Sequence, residues 1–223
     1  MKTELNPRRG LPLTERRRLA KVILEYDAEF VVLIGSWARG AQVESPASDI
    51  DLLVGAPSGT HCRDKKGMHV ICMSSAELMQ RVTKRDDFAL WCLRYGIPLS
   101  GRERWMKLKH EALRDDPWPS ADTKYELARR GFSYARDLFA MGDVDAAQEE
   151  LRISLGHLAR GTLIRKGVFP LSRPELADQL RQAGDSELAQ MMDRVFSLNN
   201  EAQDIVGIMR EIEIRLATES ATG

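Results

Sequence analysis

Apolar runs of strand length and apolar stripes of helical spacing divide this chain into two halves. In the first half, residues 30–34 form a continuous apolar run that predicts a buried strand, and residues 49–54 and 68–73 predict two more. Apolar positions at helical spacing surround these runs, and Ser74 with Glu77 is typical of a capping box at the start of a helix. This half therefore predicts a small sheet packed against helices.

The helical pattern becomes uninterrupted after a proline-containing segment. Before that segment, residues 97–99 predict an edge strand, because an edge tolerates Pro98. Residues 115–119 contain two prolines and show no periodicity, which places a domain boundary there. Beyond it, the apolar positions predict four or five helices. The predicted fold class is therefore α/β (α+β), with a small mixed-sheet domain over residues 1–116 and an all-α helical bundle over residues 117–223.

The composition is ordinary for a soluble globular protein of 223 residues. No apolar run approaches the length of a membrane span, and no apolar signal-peptide core follows the basic N-terminus. We therefore expect a cytoplasmic protein with no membrane partner. Cys62, Cys72 and Cys92 form no paired spacing, which predicts reduced thiols rather than a disulfide framework or a zinc site.

The charge balance argues against a protein dominated by nucleic-acid binding. Lys and Arg number 33, and Asp and Glu also number 33, so the formal net charge is zero. Basic runs lie near the N-terminus and across residues 102–114, and solvated helix faces explain them better than an RNA surface does. A nucleic-acid partner is compatible with the sequence but is not favoured.

The end of the first predicted strand carries candidate phosphate-binding residues. Gly35 lets the main chain approach a phosphate closely, and Ser36 is expected to cap a short helix and to offer its hydroxyl as a donor. Arg39, three residues further on, can reach a phosphate or can be a solvated helix residue. These residues predict an anion-binding turn between the first two strands.

The second predicted strand begins with two acidic residues, Asp49 and Asp51. Residues i and i+2 of a strand point to the same face, so we expect both carboxylates to converge. Mg²⁺ binds through few carboxylates and completes its shell with phosphate oxygens and water. The two aspartates beside a phosphate-binding turn therefore predict a metal site for Mg²⁺ or Mn²⁺.

The segments 34–40 and 48–54, which read Ile-Gly-Ser-Trp-Ala-Arg-Gly and Ser-Asp-Ile-Asp-Leu-Leu-Val, resemble the signature of the DNA polymerase β-type nucleotidyltransferases. The resemblance is closest to the minimal bacterial members and the aminoglycoside nucleotidyltransferases, and the strand–helix order extends it to about residue 100. It implies that an NMP moves from an NTP, with ATP the expected donor, to an acceptor hydroxyl. It also implies that the helical bundle is a substrate-binding domain like that of kanamycin nucleotidyltransferases.

The sequence leaves the acceptor open: an aminoglycoside, another small alcohol, a protein side chain and an RNA end all fit. The predicted edge strand and the helical stripes permit a homodimer without requiring one.

The third strand departs from the family pattern, because it carries no acid where members of the family usually have a third carboxylate. His69 falls at that position, and Asp64 in the preceding loop is the nearest acid. Three hypotheses remain: an acid from elsewhere completes the site, His69 acts as the base, or the protein binds nucleotide without turning it over. The third would make it a catalytically degenerate, regulatory protein.

A second candidate site lies in the helical half. Arg152 and His157 fit an Arg-x4-His pattern that resembles the ribonuclease motif of HEPN domains found with minimal nucleotidyltransferases in toxin–antitoxin systems. Residues five apart on a straight helix are separated by about 140° and do not share a face. A break at Gly156 or a dimer interface would be needed, so we favour structural roles for both residues.

Overall fold

The computed structural model describes residues 17–21, 26, 28–39, 50–58, 60, 62–64, 67–197 and 202–221. The chain divides into two compact units, Met1–Pro119 and Ser120–Gly223. We call them the sheet unit and the helical unit. In the part of the chain that is described, no helix is both long enough and apolar enough to cross a membrane.

The sheet unit is built on four strands in the order β3-β2-β1-β4. They are β1 (Phe30–Ile34), β2 (Ile50–Gly55), β3 (Met68–Met73) and β4 (Ile97–Ser100). β1 lies antiparallel to β2 and β4, whereas β2 and β3 are parallel. The sheet is therefore mixed, and the edge position predicted for the Pro98 strand is confirmed.

Alternation along the strands gives the sheet two different faces. One face carries an apolar core whose buried strand residues are Val31, Leu33, Ile50, Leu52, Val54, Met68, Val70 and Leu99. Trp37, Ala38 and Cys62, which do not belong to the strands, pack against this core. Asp51 and Leu53 alternate with these positions on β2. Asp51 therefore lies on the face opposite this core.

Four described helices of the sheet unit follow its strands. They are α1 (Gly35–Ala38), α2 (Ser75–Thr83), α3 (Asp87–Tyr95) and α4 (Arg102–Ala112). The predicted cap at Ser74 is confirmed, because its hydroxyl accepts the Glu77 N–H at 3.1 Å. Asp86 likewise caps α3 by accepting the Ala89 N–H at 2.8 Å.

The expected capping role of Ser36 is wrong. Helix α1 already begins at Gly35, and Ile34, still in the strand, stands at the N-cap with no side-chain cap hydrogen bond. The physical reason is the turn itself: β1 stays paired with β2 up to Ile34, and a φ of +71° at Gly35 turns the chain directly into the helix. Ser36 therefore lies inside a single helical turn.

The helical unit contains α5 (Ala121–Ala140), α6 (Val144–Arg165), α7 (Leu176–Gln182), α8 (Ser186–Ser197) and α9 (Ala202–Ala221). A 3₁₀ turn at Arg173–Glu175 carries Pro174 and precedes α7. The long helices α5 and α6 pack closely, and the buried Ser154 hydroxyl donates to the Ala128 carbonyl at 2.7 Å across them. The predicted fold class, a mixed sheet with helices followed by a helical region, is confirmed.

The cysteine expectation is corrected by the path of the β2–β3 connection. Cys62 and Cys72 are joined as a disulfide, with their Cα atoms 5.6 Å apart. The two residues, ten apart in sequence, meet in space, which their spacing alone does not reveal. Cys92 is a free, buried cysteine on α3.

Candidate active site at one end of the sheet

Strand register brings three predicted positions together at one end of the sheet. Asp51 on β2 lies directly opposite Ile34 of β1 on one side and His69 of β3 on the other. Side chains directly opposite each other share a face of the sheet. The pairing puts His69 of the third strand directly beside Asp51, and its chemical role stays a prediction.

Gly35 places main chain against the Asp51 carboxylate. A Cβ atom at Gly35 would lie 2.1 Å from Asp51 Oδ2, closer than any non-bonded contact allows. The positive φ of Gly35 is also a conformation that L side chains rarely adopt. Both observations require glycine here, and they leave the turn after β1 in direct contact with the candidate metal ligand.

His69 lies between two carboxylates. Its Nδ1 is 3.4 Å from Asp51 Oδ1, and its Nε2 is 4.0 Å from Asp64 Oδ1. Asp64 is held in the β2–β3 connection because the same Oδ1 accepts the Val70 N–H at 2.9 Å. The loop thereby delivers a second acid to the half-exposed imidazole, which is one of the three possibilities that the sequence left open.

The described residues offer one candidate metal ligand, the carboxylate of Asp51. Asp49, the other predicted metal ligand, lies outside the described residues. Within the described ranges, no group of three or more His, Cys, Asp and Glu side chains is arranged to hold a metal ion. Asp51 supplies one carboxylate with 33% of its side chain exposed. Mg²⁺ needs few protein carboxylates when phosphate oxygens and water complete its shell.

Ser36 and Arg39 lie in the single turn that follows Gly35. The Ser36 carbonyl accepts the Arg39 N–H at 3.1 Å. The guanidinium carbon of Arg39 lies 6.0 Å from the centroid of the Trp91 ring on α3, at the outer limit of a cation–π contact. Arg39 is therefore a half-buried cation against an aromatic ring, not a fully solvated helix residue.

Helix α3 also presents a buried thiol near the site. Burial raises the pKa of the Cys92 thiol, and the carboxylates of Asp86 and Asp51 raise it further. The thiol thus stays protonated at physiological pH. It contributes packing to the site rather than a nucleophile.

Arg152 and His157 lie five residues apart on one helix. Helix α6 runs without interruption from Val144 to Arg165, so Gly156 introduces no break. The Arg152 guanidinium donates to Glu149 at 3.3 Å and to the Val195 carbonyl at 3.4 Å. These contacts fit the structural role that the sequence favoured for Arg152.

Comparisons with known proteins assign this chain to no family. No protein-family model and no curated protein matches the chain. A solved structure of a nucleotidyltransferase-like protein from Exiguobacterium sibiricum 255-15 superposes with a TM-score of 0.48 and 17% sequence identity, over 91% of this chain and 73% of that one. These values are too low to carry a function across, so the functional conclusion rests on the residues of this chain.

Proposed function

We propose that this protein is a metal-dependent nucleotidyltransferase that moves an NMP from an NTP, with ATP the expected donor, to a hydroxyl of a small molecule or a macromolecule. The chemistry belongs to a domain of residues 1–116, and the bundle of residues 117–223 is a second domain. One observation carries the proposal: the Gly35 main chain packs against the Asp51 carboxylate beside His69. This contact joins the two halves of the sequence motif in one place.

The roles follow the sequence motif, and the positions of the described residues support them. The Gly35 main chain and the Ser36 hydroxyl bind the terminal phosphates, and Arg39 adds positive charge to the turn. Asp49 and Asp51 hold Mg²⁺ or Mn²⁺, which neutralises phosphate charge when bound. Phosphoryl transfer depends mostly on positioning and on charge stabilisation, so this small set of residues is sufficient.

The proton of the acceptor hydroxyl goes to His69. The hydroxyl oxygen forms a bond to the α-phosphorus while the bond from that phosphorus to the leaving pyrophosphate breaks. His69 accepts the proton at Nε2, because Nδ1 faces the Asp51 carboxylate. Asp64, 4.0 Å from Nε2, stabilises the imidazolium that forms.

Label transfer tests the proposal directly. The full chain is incubated with each α-labelled NTP, Mg²⁺ or Mn²⁺, a panel of aminoglycosides and a cell extract. We expect label on an acceptor and release of pyrophosphate, both lost in Asp49→Asn and Asp51→Asn. Asp137→Asn, at an exposed position on α5, is the matched control and should behave as wild type. Transfer that survives Asp51→Asn would overturn the proposal.

A second candidate function is nucleotide binding without turnover, as in a regulatory protein. The observation that favours it is the imidazole of His69 in the third-strand position, because imidazole suits Mg²⁺ poorly. Metal-dependent NTP binding that Asp51→Asn abolishes, with no labelled product from any acceptor, would select this function over transfer.

A further inference from the structure

The fourth strand brings helix α3 to the same end of the sheet as Asp51. β4 is antiparallel to β1 and begins at Ile97, which lies opposite Leu33. Tyr95, the last residue of α3, comes two residues before Ile97. Because Leu33 is two residues from Gly35, Tyr95 reaches the sheet end that carries the candidate site.

Helix α3 carries two aromatic rings in tilted contact near this end. Trp91 and Tyr95 are one turn apart, and their ring centroids lie 5.4 Å from each other at an interplanar angle of 49°. The guanidinium carbon of Arg39 lies 6.0 Å from the centroid of the Trp91 ring. We call Arg39, Trp91 and Tyr95 the aromatic row.

Within the aromatic row, Trp91 and Tyr95 differ in how much of each residue is exposed. Trp91 is 9% exposed, so packing accounts for it, whereas Tyr95 is 36% exposed. An exposed aromatic ring held by a buried one is a preformed surface for a planar ligand.

The chemistry of the row matches a ligand with a planar end and an anionic end. Arg39 links the two parts, because it contacts the Trp91 ring and belongs to the turn of Gly35 and Ser36. A guanidinium in that position attracts phosphate, and the Tyr95 ring offers a face for stacking. A nucleoside triphosphate carries both groups in one molecule.

We propose that Tyr95, supported by Trp91 and Arg39, stacks on the base of the bound nucleotide. This inference rests on the proposed nucleotide site and adds the residue that recognises the base. Stacking uses the π face that every base possesses, so this contact tolerates all four bases. Removing the ring should therefore weaken every NTP and leave binding of phosphate alone unchanged.

Equilibrium binding by titration calorimetry tests the role of Tyr95. The full chain, with Mg²⁺, is titrated with each of the four NTPs and with inorganic tripolyphosphate, which lacks a base. We expect Tyr95→Ala and Tyr95→Leu to weaken each NTP about 10-fold, to leave tripolyphosphate within 2-fold, and Tyr95→Phe to bind as wild type. Tyr134→Ala, which removes a 53% exposed ring from α5, is the matched control and should change nothing.

Each other outcome has one meaning. Unchanged NTP affinity in Tyr95→Ala and Tyr95→Leu, or an equal loss for tripolyphosphate, would overturn the base-stacking role and leave the proposed function standing. A wild-type protein that binds neither NTP nor tripolyphosphate would overturn the proposed function and this inference together.

Discussion

Two clusters of charged side chains in this molecule differ in how their charges are arranged. At the sheet end, the carboxylates of Asp51 and Asp64 lie on either side of the single imidazole of His69, at 3.4 and 4.0 Å. Like charges converge there on one half-exposed group. Carboxylates gathered around one polar group can attract a cation, and such arrangements are common at functional sites.

In the helical unit, opposite charges alternate. Arg165 donates to Glu219 at 2.8 Å, and Arg215 contacts the other oxygen of Glu219 at 3.2 Å. Arg215 also pairs with the buried Asp185, and the Arg165 guanidinium lies 4.3 Å from the centroid of the Tyr125 ring. Burial raises the pKa of the Tyr125 phenol, so this ring stays neutral at physiological pH.

The contrast separates charges that serve stability from charges that serve chemistry. Alternating charges neutralise one another and join α9 to α6 and to the start of α8. At the sheet end the two carboxylates lie beside an imidazole instead, an arrangement more typical of a functional site than of a salt-bridge network. Substitutions at the sheet end should therefore change function more than stability, and those in the helical cluster should do the reverse.

The largest expected effect is the loss of function in Gly35→Ala. Its Cβ would lie 2.1 Å from Asp51 Oδ2, so the carboxylate and the turn must move apart. We expect NMP transfer to fall by about 10²–10³-fold, as when one positioned group of a preorganised site is lost. The label-transfer assay measures this effect.

A matched control isolates the steric contact from backbone strain. Gly142 also has a positive φ, +83°, but a Cβ there would meet nothing within 4 Å. Gly142→Ala should lose about 1 kcal/mol of unfolding free energy from strain alone and keep full transfer activity. Equal activities in the two variants would show that the Gly35–Asp51 contact does not position the site.

The second effect is a loss of stability in Arg215→Met. This variant keeps the length of the side chain but leaves Asp185, 7% exposed, and Glu219 without one cation. We expect the free energy of unfolding to fall by about 2–4 kcal/mol, because a buried carboxylate loses its partner. Urea denaturation measures it, and calorimetric NTP affinity should not change. A loss of NTP affinity with an unchanged free energy of unfolding would show that the helical cluster serves function rather than stability.

The sequence predicts much of the sheet end because short apolar runs bounded by turn residues determine strand and register. The third strand, Met68–Met73, has the predicted bounds, and it pairs His69 with Asp51. The contact of Asp64 with His69 and the pairing of Cys62 with Cys72 were not predicted. Both depend on the path of residues 56–67, where no periodicity constrains the chain.

The alternation of opposite charges in the helical cluster was not predicted either. Its side chains come from three helices and the loop before α8, and apolar stripes reveal which face of a helix is buried without specifying which charged residues meet at its edge. Long-range charge pairing therefore needs the packed helices, whereas the Gly35–Asp51 part of the site follows from strand pairing alone.

The third effect concerns the disulfide that closes the loop carrying Asp64. A cross-link between Cys62 and Cys72 constrains a short loop in the unfolded chain and is worth about 2–3 kcal/mol by loop entropy. We expect Cys62→Ser to be less stable than wild type by that amount under oxidising conditions and equally stable in excess dithiothreitol. Three titratable thiols in the unfolded, unreduced wild type would show that the bond does not form.

The smallest expected effect comes from Glu29, a carboxylate of the sheet unit that is paired with a cation, as the carboxylates of the helical cluster are. Glu29 Oε2 accepts from the Ser75 hydroxyl at 2.7 Å and from Arg104 Nε at 2.9 Å, and these hydrogen bonds lower the pKa of Glu29. A lowered folded-state pKa stabilises the fold above the unfolded-state pKa, and that contribution disappears as pH falls through the folded-state value.

Because Glu29 is half-exposed, Ser75→Ala should cost under about 1 kcal/mol at neutral pH. The difference from wild type should shrink in acid, measured by urea denaturation across pH, and Arg104→Gln should show the same trend. A pH-independent difference in both variants would mean that Glu29 contributes packing rather than charge.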